Sequence, residues 1–338
     1  MKIKTTKIAP TMSLLVLTSI LVNILWGTPF PLVKVMYSEM NLSPAQFWDN
    51  YNGQVLTTIS IRFILAGVIT LLVAMTMKQN IVAMSKKQWF DVTAMGLVCT
   101  TVAYFLFNVG LVHTVTIKSS ILAQGSIFFS ILLAHFAYKD DKLTRAKWLG
   151  LLLGFAGLVV VNITNSTANL SELFSFNLLG DGFMLLYGLV TAIGMMQARV
   201  IGSKLPVFVM TGWNLFIGGV VLLGIGLLMG GRIAAIQWTP LATLLMFFLA
   251  LLSTVTYGLW YWVIQYAKIG EVSMFKFCMP ISSSLLAVAI KQDVFTVALA
   301  IGLVLVCLGI IVVNKPEIVG IKSTPLSKKD IDSNIPPK

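Results

Sequence analysis

Long apolar runs separated by short charged segments make up most of this chain. Residues 92–117 and 233–267, for example, contain no Asp, Glu, Lys or Arg. An α-helix rises 1.5 Å per residue, so about 20 apolar residues cross the hydrocarbon layer of a bilayer, which is roughly 30 Å thick. The runs lack the alternating pattern of membrane β-strands. The pattern therefore predicts an all-α integral membrane protein.

Ten transmembrane helices are predicted when each charge-free run is trimmed to a plausible length. Two of these runs reach full length only when they include Arg62 and Lys276, so both cations are expected inside the membrane. The predicted spans are 13–36, 56–77, 89–113, 115–138, 147–164, 179–200, 207–230, 240–266, 270–290 and 294–314.

The composition agrees with a membrane location. Apolar residues make up 57% of the 338 residues and charged residues 11%, whereas soluble domains average about 45–50% and about 25%. This excludes a soluble enzyme, a disordered chain and a secreted disulfide scaffold. The three cysteines form no CxxC pair and the two histidines are far apart, so neither a metal site nor a cofactor is expected.

The basic residues predict the orientation of the chain in the membrane. Of 24 Lys and Arg residues, 18 fall in segments on the side of the N-terminus and only three, Lys118, Arg232 and Lys291, on the other. Basic residues concentrate in cytoplasmic loops, so both termini are predicted to be cytoplasmic. The net charge of +12 is thus interpreted as topology and attraction to lipid headgroups, and nucleic acid is not an expected partner.

The second half of the chain repeats polar and glycine positions of the first half. A shift of 153 residues places Tyr104 on Tyr257. Because each half would hold five helices, the second copy would enter the membrane upside down, as in many secondary transporters. A shift of 152 residues matches five further positions with identical residues: Asp141, Thr144, Gly150, Gly157 and Asn162.

This duplication divides the chain into two inverted five-helix repeats with short flanking segments. The predicted division is a cytoplasmic N-terminus (1–12), a first repeat (13–164), an outer connection (165–178), a second repeat (179–314) and a cytoplasmic tail (315–338).

Several motifs together resemble the drug/metabolite transporter superfamily, and within it the EamA-like ten-helix exporters. They occur in family order along residues 13–314: Leu25 to Phe30, Arg62-Phe63, Asp141 to Thr144 before Gly150, Pro280, Asp293, Gly302 and Gly309. The resemblance implies a 5+5 inverted fold and export of small metabolites, amino acids or drugs. Phe128 stands in the register of Pro280, where the family usually has a second proline.

Two cations inside the predicted spans are the sharpest chemical signal. A charge in the membrane centre costs roughly 2.5–3.5 kcal/mol on insertion scales. Arg62 and Lys276 have few acidic residues available near them, so a substrate with a carboxylate or similar anionic group is favoured. The alternatives are that they extend to the headgroups, anchor helices or pair with Asp181 at the outer start of the sixth span.

Aromatic, polar and helix-breaking residues complete the candidate site. Packing or hydrogen bonding between helices is the alternative role for the aromatic and polar members. The substrate-binding candidates besides the two cations are Trp26, Tyr104, Asn108, Tyr257 and Trp260. The candidate hinge residues are Gly27, Pro29, Pro31 and Pro280, since glycine and proline allow helices to break where they line a cavity.

These features predict a secondary transporter that works by alternating access on small carboxylate-bearing compounds, and the resemblance implies export of small metabolites such as amino acids across the bacterial inner membrane. The expected partners are a small-molecule substrate and lipid. Without a GxxxxGK[ST] motif, direct use of ATP is not expected, and coupling to protons or to exchange stays open. The alternatives are a broad-specificity drug exporter and a non-transporting membrane protein. An enzyme is disfavoured because no cluster of histidines and acids lies within the spans.

Overall fold

The structure, a computed structural model, describes residues 10–42, 50–114, 116–164, 175–290 and 296–314. These residues form helices and connecting turns, and no strand occurs among them. Asp293 and most of the predicted termini and outer connection lie outside the described residues.

The described helices follow the predicted spans along the whole chain. They are numbered here by continuous stretch: α1 (Met12–Glu39), α2 (Tyr51–Thr76), α3 (Lys86–Val112), α4 (Thr116–Ala123 and Gly125–Ala137), α5 (Arg145–Thr164), α6 (Leu178–Gly202), α7 (Val207–Leu228), α8 (Pro240–Tyr266), α9 (Ile269–Ala289) and α10 (Val297–Asn314). A short 3-10 turn, Ile233–Ala235, precedes α8.

Seven of these stretches are long and apolar enough to cross a membrane: α1, α2, α3, α6, α7, α8 and α9. The apolar helices in α4 and α10 are shorter. The prediction of an all-helical, multi-pass membrane protein is confirmed, and the number of ten crossings stays a prediction.

Specific polar contacts explain where two helices begin earlier than predicted. The helix α2 starts at Tyr51 rather than residue 56, because Gln54 exchanges two hydrogen bonds with the backbone of Arg232 beyond the end of α7, at 2.8 and 3.1 Å. The helix α3 starts at Lys86, where Ser85 and Gln88 form a reciprocal capping box.

Two pairs of helices pack along most of their length, α2 with α7 and α5 with α10. Glycines allow the close approach. A Cβ on Gly67 would lie 2.6 Å from the backbone nitrogen of Phe216. A Cβ on Gly150 would lie 2.7 Å from the carbonyl oxygen of Gly309. Small residues at such crossings are typical of membrane helices, where packing rather than hydrophobic burial holds helices together.

Besides a π-helical stretch in α3, Leu97–Val102, three helices are interrupted within their length. The helix α1 is broken at Thr28, and Pro29 is the first residue of its second part. The helix α4 is broken at Gln124. In α9 a 3-10 stretch, Ser273–Phe277, separates a short first turn from the longer second part. Interruptions at membrane depth are tolerated where neighbouring helices satisfy or shield the released backbone groups.

Buried ion pairs hold helix ends together at two places. The Asp141 carboxylate, after α4, accepts hydrogen bonds from Lys147 Nζ at 2.5 Å and from the backbone N–H of Gly270 at 2.7 Å. The Asp181 carboxylate, in the first turn of α6, binds Lys118 Nζ at 2.5 Å. These contacts fix the start of α9 against the α4–α5 connection, and the start of α6 against the start of α4.

Candidate substrate-binding site

Aromatic side chains from α1, α2, α3 and α8 meet in one group, which we call the central aromatic cluster. The ring of Trp26 lies 5.3 Å from those of Tyr257 and Trp260, centre to centre. The ring of Tyr104 lies 4.4 Å from that of Phe63. The hydroxyl groups of Tyr104 and Tyr257 are 2.7 Å apart and share a hydrogen bond. The structure therefore brings together all four aromatic residues predicted for the site.

Helical spacing on α8 explains how this cluster forms. Tyr257, Trp260 and Tyr261 are three and four residues apart, so their side chains share one face of the helix. Trp260 and Tyr261 are buried, and the Tyr257 and Tyr261 rings are 5.8 Å apart. Tyr261 is not among the site residues predicted from the sequence, although its spacing from Tyr257 is the signal that places it on this face.

Arg62 lies beside the cluster on α2 and is buried. Its guanidinium carbon is 4.7 Å from the centre of the Phe63 ring, a distance at which a cation is attracted to the ring face. Its Nε atom makes no hydrogen bond to the described residues. No described carboxylate forms an ion pair with Arg62.

Lys276 lies on the 3-10 interruption of α9 and is as deeply buried as Arg62. Its Nζ atom is 5.9 Å from the centre of the Trp260 ring. Among the described residues no carboxylate pairs with this ammonium group either. The candidate site thus combines two buried cations with a connected group of aromatic rings.

The alternative in which Asp181 neutralises one of these cations is wrong. The Asp181 carboxylate is occupied by Lys118, by the Thr114 hydroxyl at 2.7 Å and by the backbone N–H of Asn177 at 2.8 Å. This network joins the start of α6 to the start of α4, a contact that hydropathy does not predict. By contrast Lys34, a further cation near the outer end of the first predicted span, is exposed, as expected for a side chain that extends to the headgroups.

Asn108 occupies a supporting position in the structure. Its side-chain nitrogen donates a hydrogen bond of 2.7 Å to the carbonyl oxygen of Tyr104, one turn earlier on α3. The contact stabilises the helical turn that carries Tyr104. A polar side chain that bonds its own helix cannot be distinguished, from sequence alone, from one that faces a substrate.

The candidate hinge residues differ in their surroundings. Gly27 packs against α9, where a Cβ would lie 2.6 Å from the carbonyl oxygen of Met279. Pro29 directly follows the break at Thr28, and Pro31 is two residues further along. Pro280 is the third residue of the second part of α9, just after the interruption that carries Lys276.

Asn214 is a further polar residue beside the cluster. Its side-chain nitrogen lies 3.4 Å from the Tyr261 hydroxyl, and its oxygen lies 3.5 Å from the Thr100 hydroxyl. This chain of long hydrogen bonds connects α7 to α3 and α8. It gives the hydroxyl end of Tyr261 a polar partner inside an otherwise apolar region.

The model of the EamA-like transporter family matches residues 13–163 and 178–315 of the chain. The chain belongs to the EamA-like transporter family. The resemblance derived from its motifs is therefore confirmed, and the function class is that of a membrane transporter.

Relatives of this EamA-like transporter occur in bacteria, archaea and plants. The uncharacterized transporter YvbV of Bacillus subtilis is 24% identical over 294 residues, which cover 86% of this chain and 88% of YvbV. An uncharacterized transporter of Archaeoglobus fulgidus is 24% identical over 298 residues, covering 86% of this chain and 93% of the relative. A chloroplastic WAT1-related protein of Arabidopsis thaliana is 26% identical over 237 residues, and the match spans 68% of this chain but only 55% of the plant protein.

A solved crystal structure has the same fold. It superposes with a TM-score of 0.74 at 17% sequence identity, covering 93% of this chain and 100% of the other. At this identity the likeness supports the arrangement of helices alone.

Proposed function

We propose that this EamA-like transporter exports small carboxylate-bearing metabolites, with Arg62, Lys276 and the central aromatic cluster as its substrate site. The observation that carries the proposal is the pair of buried cations for which the described residues supply no carboxylate. Charges inside a membrane persist where they have a function. A substrate carboxylate supplies the missing partner, and the aromatic rings contact its apolar part.

Alternating access by two inverted five-helix repeats is the proposed mechanism. Several helix contacts are consistent with an exchange of each helix of one half with its counterpart in the other half. The pairs α2–α7 and α5–α10 are self-equivalent, α1–α9 corresponds to α6–α4, and α1–α8 corresponds to α6–α3. The limits of the two family-model matches also lie within a few residues of the proposed repeats.

Individual contacts agree with this symmetry. Gly67 packs against the backbone of Phe216, and Gly219 packs against Ile64. A shift of 152 residues relates the two contacts, because it places Gly67 of α2 on Gly219 of α7 and Ile64 of α2 on Phe216 of α7. Inverted repeats allow the two halves to exchange conformations, so that a central site opens to one side and then to the other. The breaks near Pro29 and Pro280 are the proposed flexible points.

The proposed topology has ten crossings with both termini in the cytoplasm of a bacterial cell. Single cysteines at Ser203 and Gln237, in a variant lacking the three native cysteines, test this. Both positions are exposed. An impermeant maleimide is expected to label position 237 in intact cells and to reach position 203 only after the cells are opened. The reverse labelling would contradict the orientation.

Export of varied apolar drugs is the second candidate function, and the extent of the aromatic cluster favours it. Ring faces tolerate many ligand shapes. The two candidates differ in their demand for charge, because a drug exporter of this kind would move neutral or cationic compounds independently of Arg62 and Lys276. Coupling to protons or to exchange with a second metabolite is compatible with either candidate.

Flux measurements in proteoliposomes test the proposal. A broad panel of carboxylate metabolites is expected to include at least one that the wild-type protein moves. Its flux should fall at least about tenfold in both Arg62→Gln and Lys276→Gln, which corresponds to about 1.4 kcal/mol. Lys34→Gln is the matched control, because Lys34 is exposed, and it should retain wild-type flux. Unchanged flux in both buried-cation variants, at equal inserted protein, would refute the assigned site.

A further inference from the structure

Positive charge exceeds negative charge around the central aromatic cluster, because the described carboxylates lie elsewhere. Six carboxylate residues lie in the described part of the chain, and four have specific partners elsewhere. Asp141 pairs with Lys147, Asp181 with Lys118, and Glu271 with Lys268. Glu39 accepts a hydrogen bond from Thr239. Asp91 lies in the second turn of α3, and Asp140 lies in the connection after α4.

The aromatic faces nearest to the cations are already occupied by them. The Phe63 ring faces the guanidinium group of Arg62 at 4.7 Å, and the Trp260 ring faces the ammonium group of Lys276 at 5.9 Å. The hydroxyl groups of Tyr104 and Tyr257 bind each other. An ammonium group on a substrate would therefore find neither a described carboxylate nor these two ring faces free to receive it.

We infer that the site selects organic acids with a flat apolar body and no ammonium group, and rejects zwitterionic amino acids of the same shape. The inference rests on the proposed function and narrows its substrate class. A carboxylate gains from Arg62 and Lys276, while an ammonium group a few ångströms away is repelled by both. These interactions are strong where water is excluded. Trp26, which meets Tyr257 and Trp260 with its ring tilted by 68° and 60°, supplies an apolar surface for a planar group.

Three small molecules with the same benzene ring and a similar side chain test this selection. Phenylpyruvate carries only the carboxylate, phenylalanine carries both charges, and phenethylamine carries only the ammonium group. In proteoliposomes of the full-length protein, phenylpyruvate flux is expected to exceed phenylalanine flux at least about tenfold, and phenethylamine is expected to stay at the level of empty liposomes. Equal flux of phenylpyruvate and phenylalanine would overturn the inference, while leaving carboxylate export itself intact.

A change in selectivity gives the stronger test. Lys276→Glu places a carboxylate beside Trp260 and should shift the ratio of phenylalanine to phenylpyruvate flux toward phenylalanine by at least about tenfold. The neutral variant Lys276→Gln, which removes the cation without adding an acid, should shift the ratio less. An unchanged ratio in a folded Lys276→Glu protein would contradict the inference.

Thermal stabilisation by ligand provides a readout that does not require transport. Phenylpyruvate at millimolar concentration is expected to raise the melting temperature of the detergent-purified wild-type protein more than phenylalanine does, and to lose this effect in Arg62→Gln. Equal stabilisation by both compounds, or none by phenylpyruvate, would overturn the inference. Failure of the proposed function would instead appear as no flux of any carboxylate in the metabolite panel.

Discussion

Asp141 and Lys147, at the connection between α4 and α5, are as deeply buried as Arg62 and Lys276 beside the aromatic cluster. Their exposed fractions are 1% and 4%, against 6% for each of the other two. The first two residues bind each other at 2.5 Å, whereas the second two meet aromatic rings and no described carboxylate. Similarly buried charges in this protein therefore differ in whether a charge of opposite sign lies beside them.

The difference separates charges that are paired within the fold from charges that have no described carboxylate partner. Removing one partner of a buried ion pair leaves the other uncompensated, which destabilises a protein strongly. Removing a charge that has no partner takes away a cost instead. Stability measurements can therefore distinguish the two classes without knowledge of the substrate.

The largest effect is expected for Asp141→Ala, which leaves the Lys147 ammonium group buried without its carboxylate and removes the acceptor of the Gly270 N–H. A loss of about 3–5 kcal/mol is expected, measured as a large fall in the melting temperature in detergent. Asp140→Ala is the matched control at the neighbouring, partly exposed position. Similar melting temperatures for the two variants would show that the ion pair does not hold these helix ends.

The opposite sign is expected for Arg62→Gln and Lys276→Gln. Each removes a buried charge that has no described carboxylate partner, so the melting temperature should stay the same or rise by a few degrees. The change in free energy is expected to be about 0–2 kcal/mol in favour of the folded state. A loss comparable to that of Asp141→Ala would mean that these cations hold helices together, and the comparison would fail.

A smaller effect is expected for Tyr104→Phe and Tyr257→Phe. Each removes the single hydrogen bond between the two hydroxyl groups and costs about 1 kcal/mol, visible as a modest fall in melting temperature. The double variant should cost little more than either single one, because the bond is already lost. Tyr266→Phe, at an exposed ring on the same helix, is the control. Strictly additive losses would indicate that the two hydroxyls act separately.

The smallest effect is expected for Glu271→Ala. Its partner Lys268 is three residues away, both side chains are partly exposed, and the closest approach is 3.5 Å. Ion pairs of this kind contribute about 0.3–0.5 kcal/mol. The shift in melting temperature should be near the limit of measurement, and a shift as large as that of Asp141→Ala would show that exposure does not explain the difference between the pairs.

The positions of the helices follow closely from the sequence, because apolar length is set by the membrane itself. The helix α8 runs from Pro240 to Tyr266, the same limits that its hydropathy predicts. The aromatic cluster could also be anticipated in part, since Trp26 precedes a glycine and Tyr257 matches Tyr104 in the repeat. The first signal comes from neighbouring residues, and the second comes from the similarity between the two halves of the sequence.

Contacts between distant helices account for what the sequence does not predict. The partner of Asp181 depends on how the start of α6 meets Lys118, and no periodicity encodes that meeting. The hydrogen bond from the Asn108 side chain to the carbonyl oxygen of Tyr104 is also not predictable from the position of Asn108 within a span. The interruption of α9 begins at Ser273, seven residues before Pro280, so the proline alone does not indicate where the helix breaks.

The close packing of α5 against α10 restricts which substitutions this protein and its relatives can accept at the helix crossing. A Cβ on Gly150 would meet the carbonyl oxygen of Gly309 at 2.7 Å, and a Cβ on Gly309 would meet the carbonyl oxygen of Gly150 at the same distance. Both of these carbonyl oxygens are backbone atoms, which every amino acid shares, so no second substitution at the partner position relieves the first. A substitution at either glycine therefore cannot be compensated at the other. Relatives that keep this helix crossing are expected to keep both glycines, even where other residues of α5 and α10 differ.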